Sequence, residues 1–99
     1  MDDDRGRSDA KMIRWTRHAE ERQAEWQKLL GVTREAVEAV LQAPGQIVPG
    51  DAGALIAQAP SGDGLLRVVY REDAGTQRIL TLYWTSRVSR YWKGEGDAG

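Results

Sequence analysis

The spacing of apolar residues changes period along this chain, and each change marks an element. In Lys11–Thr16, Ile13 and Trp15 alternate with polar neighbours, which predicts a short strand. Thr16 is then placed as an N-cap, and the helix it opens is expected to run to Leu30 and stop at Gly31. Ala19, Trp26, Leu29 and Leu30 are its expected apolar stripe. His18 and Arg22 continue that side one turn apart, so the stripe turns polar toward the helix start. A second helix is predicted from Thr33, with Val32 and Val37 spaced as a hydrophobic staple. Val37, Val40 and Leu41 form its buried side, and Pro44-Gly45 ends it.

After Gly45 the period becomes that of strands. Gln46–Val48 is a brief extended piece, and Pro49-Gly50-Asp51 is a turn. Ala54–Ala59 reads as a weak strand, Ser61-Gly62-Asp63-Gly64 as a hairpin signal, and Leu65–Arg71 as a strong strand. Glu72–Gly75 turns the chain into a last long strand, Gln77–Thr85. In it Leu80, Leu82 and Trp84 are expected on one face, and Ile79, Thr81, Tyr83 and Thr85 on the other. Ser86–Lys93 is expected to hold a short terminal helix.

These elements define an α+β fold. An N-terminal strand and a two-helix hairpin are expected on one face of a twisted antiparallel sheet of three to four strands, closed by a short C-terminal helix. Residues 11–93 are expected to form one domain. The segments 1–10 and 94–99 are polar, lack an apolar pattern and are expected to be disordered tails.

Composition narrows the chemistry. There is no cysteine and a single histidine, so a disulfide, a thiolate metal site and a zinc site are not expected, nor is a cofactor. The four tryptophans are expected in the core. The formal charge is −1, but the acidic residues gather at the ends. Setting aside Arg5, Arg7, Asp2, Asp3, Asp4, Asp9, Glu95 and Asp97 leaves twelve basic and nine acidic residues, a net +3 for the central part. That balance permits an RNA or phosphate partner. No apolar run suits a bilayer span, and the acidic N-terminus is unlike a signal peptide, so a cytoplasmic monomer away from membranes is expected.

Several segments together resemble a known family. They are Thr16-Arg17-His18-Ala19 with Arg22, Val32-Thr33 entering the second helix, Ile47-Val48-Pro49-Gly50, Leu65-Leu66-Arg67-Val68-Val69, and the ending Thr85-Ser86-Arg87-Val88-Ser89-Arg90-Tyr91-Trp92. In this order they resemble the domain of unknown function 4258, over about Met12 to Lys93. That family is similar to the RelE and BrnT type of bacterial toxin, compact metal-independent ribonucleases with helices packed on an antiparallel sheet. The resemblance implies a possible ribonuclease paired with an antitoxin protein. The chain departs from the family at Gln27–Val32, where a second basic run and a Gly-Ile turn are expected.

Metal-independent RNA cleavage needs a base for the ribose 2′-OH, an acid for the leaving oxygen, and donors for the charge at phosphorus. His18 is the one side chain that ordinarily titrates near neutrality, and a first-turn position suits a base. Arg22 and Arg67 have forked donors for phosphate, and Thr85 has a hydroxyl, which completes the expected catalytic set. Ser86, Arg87 and Arg90 are expected to hold phosphates, and Tyr83 and Tyr91 to stack bases. With one histidine, the acid falls to a tyrosine or an arginine. Plainer readings stay open for each residue. His18 suits a bond to a backbone carbonyl or to Glu21, Arg22 an ion pair with Glu25 or Glu21, and Arg67 an ordinary sheet-surface charge. Thr85-Ser86 suits a helix cap. A binding module without catalysis is the alternative function.

Overall fold

The computed structural model describes residues 12–94. The expected tails lie outside the described residues, apart from Gly94. The element order is β1 (Met12–Trp15), α1 (Arg17–Leu30), α2 (Arg34–Gln42), β2 (Gln46–Pro49), a 3₁₀ turn (Asp51–Gly53), β3 (Leu55–Ser61), β4 (Gly64–Asp73), β5 (Thr76–Thr85) and α3 (Val88–Tyr91).

The helix boundaries follow from local chemistry. Thr16 Oγ1 accepts from the Ala19 N–H at 3.1 Å, and Thr33 Oγ1 accepts from the Ala36 N–H at 3.0 Å. Each threonine thereby satisfies a donor that the first helical turn leaves without a partner. Gly31 closes α1 with φ of 74°, a left-handed conformation that glycine adopts without a Cβ clash. Val32 and Val37 are both buried in the same core cluster, as a hydrophobic staple requires.

The sheet is mixed and open, with five strands in the order β1-β5-β4-β3-β2. This corrects the expected antiparallel sheet of three to four strands. The difference lies in β1, which pairs parallel with the lower half of β5, from Met12 opposite Thr76 to Trp15 opposite Ile79. Parallel neighbours need a long crossover, which here spans both helices and three other strands. The remaining pairings are antiparallel, and β3–β4 turns at Gly62-Asp63 between the partners Ser61 and Gly64.

Ala19, Val32, Val37, Val40 and Leu41 pack with Ala57, Leu66, Val68, Tyr70, Ile79 and Leu82 of the sheet. Fully burying a side chain such as Leu66, Ile79 or Leu82 stabilises by roughly 1.5–3 kcal/mol. The ion pairs Arg22–Glu25 and Arg34–Glu20 are exposed, a class worth about 0–1 kcal/mol, so apolar burial holds the fold.

Three expectations about faces change. A bulge between Val69 and Tyr70 sets Val69 opposite Thr81 and Tyr70 opposite Ile79, leaving Leu80 as the extra residue. The alternation therefore slips by one, and Ile79, not Leu80, joins the core beside Leu82. In α1 the buried residues are Ala19 and Gln23, while Leu29 and Leu30 are 70% and 51% exposed. The Gln23 amide donates to the Val32 carbonyl at 2.8 Å, which fastens the helix to the following loop in place of a leucine contact. Finally, the four tryptophans are half-buried: Trp15 and Trp26 pack against the core as expected, while Trp84 and Trp92 lie outside that cluster. Two of them place an indole N–H on a partner at the rim, Trp15 on Glu38 at 2.8 Å and Trp84 on the Ser61 carbonyl at 2.9 Å.

Candidate functional site

β1 pairs with β5 only as far as Ile79, and above that point α1 lies against β5. The Thr16 hydroxyl donates to the Ile79 carbonyl at 2.8 Å and so pins the start of α1 to the strand. Between helix and strand a shallow cleft of about 260 Å³ opens, lined by His18, Arg22 and Trp26 on one wall and by Thr81, Leu82 and Tyr83 on the other. Helical spacing explains the first wall, since residues four apart share a face. His18 is exposed and makes no hydrogen bond or ion pair with any described residue. Arg22 reaches Glu25 Oε1 at 2.7 Å, along the solvated side of the helix.

Arg67 lies elsewhere. Leu66 and Val68 face the core, so strand alternation turns Arg67 to the opposite face of the sheet. There it is only 5% exposed. Its Nε donates to Gln58 Oε1 at 2.7 Å, and Nη1 donates to the Tyr83 hydroxyl. The guanidinium stacks over the Tyr91 ring at 4.2 Å and stands 5.5 Å from the Tyr83 ring centroid. No described carboxylate forms an ion pair with it. Its charge is therefore met by an amide oxygen, a phenol oxygen and two aromatic rings.

Two glutamines hold this arrangement. Gln58 Nε2 donates to Gln46 Oε1 at 2.9 Å and to the Tyr91 carbonyl at 3.0 Å. Gln46 Oε1 also accepts from the Lys93 N–H at 2.9 Å. The network fastens α3 and the residues after it over the sheet, and Tyr91 meets Tyr83 edge to face at 6.5 Å. Gln46 and Gln58 are not among the site residues that the sequence pattern singles out. Their signal was an amide at the centre of the strand Leu55–Ser61, on the face opposite Ala57 and Ala59, with an arginine one strand away.

The remaining expected residues stand along the end of β5 and α3. Thr85 Oγ1 accepts from the Arg87 N–H at 3.1 Å, a local turn bond; the N-cap of α3 is Arg87, with no side-chain capping bond, so the expected Thr85-Ser86 helix cap is not formed. Ser86, Arg87 and Arg90 are exposed, and the Arg90 guanidinium stands 5.6 Å from the Tyr91 ring centroid. The structure thus brings His18, Arg22 and Tyr83 to one cleft. It sets Arg67 and Tyr91 behind Tyr83 and leaves Thr85, Ser86, Arg87 and Arg90 outside the cleft lining. Tyr83 is the residue common to both clusters.

Among the described residues, no three His, Asp or Glu side chains gather where they could hold a metal ion. No helix among them is long and apolar enough to cross a membrane. No family model, curated protein or solved structure matches this chain.

Proposed function

We propose that the protein is a metal-independent ribonuclease acting on single-stranded RNA at the cleft between α1 and β5. The observation that carries this reading is that His18, Arg22 and Tyr83 line one open cleft. The resemblance to toxin-type ribonucleases points the same way. In the reaction, His18 takes the proton from a ribose 2′-OH as that oxygen attacks phosphorus. The bond to the 5′-oxygen breaks, and Tyr83 supplies the proton to that leaving oxygen. The products are a 2′,3′-cyclic phosphate and a 5′-hydroxyl, and solvent returns both side chains to their starting states. Arg22 lies beside the charge that builds on the phosphoryl oxygens. Arg67 acts as a positioning residue. By donating to the Tyr83 oxygen it orients the ring and leaves the phenol hydrogen for another acceptor. The setting this reading implies is cytoplasmic, with an antitoxin protein as partner.

A second reading is binding of RNA or protein without turnover. It is favoured by one specific observation: Arg67 is buried and donates from Nε and Nη1 to Gln58 and Tyr83, which takes those donors away from a reacting phosphate.

Purified protein in EDTA, incubated with a single-stranded RNA oligomer, separates the two. Cleavage to cyclic-phosphate ends, reduced about 10²–10⁴-fold in His18→Ala, is the outcome expected of the nuclease. Equal, contaminant-level cleavage by wild type, His18→Ala and Tyr83→Phe would retire the enzymatic reading. NMR shifts at the cleft without turnover would leave the binding module.

A further inference from the structure

A second charged surface lies on the same sheet, remote from the His18 cleft in the strand register. Arg14 of β1 is registered directly opposite Arg78 of β5, and Arg78 is registered directly opposite Arg71 of β4. Three arginines therefore stand side by side across three adjacent strands. Neighbouring strands are about 4.8 Å apart, so the row spans about 10 Å. It borders a hollow of about 650 Å³ lined also by Gly53, Glu72, Asp73, Ala74 and Thr76. None of the three forms an ion pair with a described carboxylate.

Like charges set directly opposite on a sheet destabilise it. A row of three is a repulsion that folding alone gives no reason to keep. The surrounding backbone carries the same sign of compromise. Ala74, in the β4–β5 turn, has φ of 51°, and Ala52, in the 3₁₀ turn beside Gly53, has φ of 55°. Both are left-handed conformations that disfavour a Cβ. The 3₁₀ turn also reaches the row: a Cβ added at Gly53 would come within 3.3 Å of Arg71 Nη1. Strained residues cluster at ligand sites, although the φ of Ala74 is also what a two-residue hairpin turn requires.

We propose that Arg14, Arg78 and Arg71 form a platform for the phosphodiester backbone of a single-stranded nucleic acid. The chemistry favours an extended polyanion over one phosphate group. The three arginines are registered in a line across adjacent strands of an open sheet, a layout that suits phosphates following one another along a chain. Each presents a planar fork suited to phosphate oxygens. Asp73 shares the hollow and opposes the binding, which moderates affinity. The platform needs no turnover at the His18 cleft, so it stands or falls separately from the nuclease reading.

The test is fluorescence anisotropy with a labelled 2′-O-methyl oligouridine of about ten nucleotides, a length typical of small single-strand sites. This probe cannot be cleaved through its 2′ position. Relative to wild type, the Arg14→Gln/Arg71→Gln/Arg78→Gln protein is expected to bind at least about tenfold more weakly. Its slope of log K against log salt is expected to be shallower by about 2, from three lost contacts at roughly 0.7 each. Asp73→Asn is expected to bind severalfold more tightly, and Lys28→Gln, exposed on α1 and outside both the row and the cleft, within about twofold of wild type. The triple variant relieves repulsion and is expected to melt no lower than wild type, so weaker binding is not unfolding. Equal affinity of wild type and triple variant would overturn the proposal. So would absent oligonucleotide binding by the wild type, or binding of phosphatidylglycerol vesicles or pyrophosphate in its place.

Discussion

Arg67 and Tyr83 stand directly opposite each other on β4 and β5, and the buried guanidinium donates to the phenol oxygen. Through Tyr83 the cluster around Arg67 and Tyr91 adjoins the His18 cleft. The Arg67 and Tyr83 side chains both stand on the face turned away from the core; Tyr83 also lines the His18 cleft, and Arg67 lies beneath Tyr91.

Truncating Arg67 should destabilise the fold. Arg67→Ala leaves Gln58 Oε1 without its donor at a residue that is 0% exposed, and removes the cation under Tyr91. A buried polar group left without a partner costs about 1–3 kcal/mol. Urea denaturation should show a loss in that range, with the C-terminal segment loosened in hydrogen exchange. An unchanged midpoint would mean that the glutamine network holds without the arginine.

Tyr83→Phe isolates the hydroxyl. The ring stacking of Arg67 persists, so the stability loss should be about 1 kcal/mol, the worth of one hydrogen bond. RNA cleavage should fall far more than that small change explains. Equal, modest losses in both would make Tyr83 a structural residue only.

The β4–β5 turn should tolerate improvement. Ala74 at φ of 51° precedes Gly75 at φ of 82°, so both central residues of the turn are left-handed. Turns of this kind favour Asn or Gly at the first position. Ala74→Gly or Ala74→Asn is expected to stabilise by about 0.5–1 kcal/mol, read as a higher thermal midpoint. A lower midpoint for both would show that the turn relaxes around alanine.

Two glycines should respond in opposite degrees. A Cβ at Gly64 would lie 2.1 Å from the Thr85 carbonyl oxygen and 2.6 Å from Trp84 Cζ2. Gly64→Ala must therefore part β4 from β5, at a cost of about 3 kcal/mol or more. Gly31 has open space around its missing Cβ, and only its φ of 74° resists substitution. Gly31→Ala should cost about 1 kcal/mol. Chemical denaturation of the two proteins compares them directly, and similar losses would contradict the packing described for Gly64.

Much of the fold was legible from short-range pattern. Thr16, Gly31 and Thr33 mark helix ends because a cap acts on backbone groups within a few residues of itself. Ser61–Gly64 marks a hairpin for the same reason. The candidate site was legible only in fragments. His18, Arg22 and Tyr83 were chosen for their chemistry, and the cleft that collects them depends on where α1 rests. Arg67 read equally well as a surface charge. Nothing within its own strand indicates that Tyr91, twenty-four positions later, covers it.

Residue order alone determined the order of the elements and the ends of α1 and α2, since capping, turn geometry and alternation act over a few neighbouring positions; β3 and β4 run two residues further than their patterns predicted, to Ser61 and Asp73. Tertiary structure alone decided that β1 runs parallel to β5, that a bulge exchanges Ile79 for Leu80, that Arg67 is sealed beneath Tyr91, and that three arginines align. Those outcomes depend on register between distant strands. Register is set by the joint packing of the whole sheet against its helices, a sum that no local window contains.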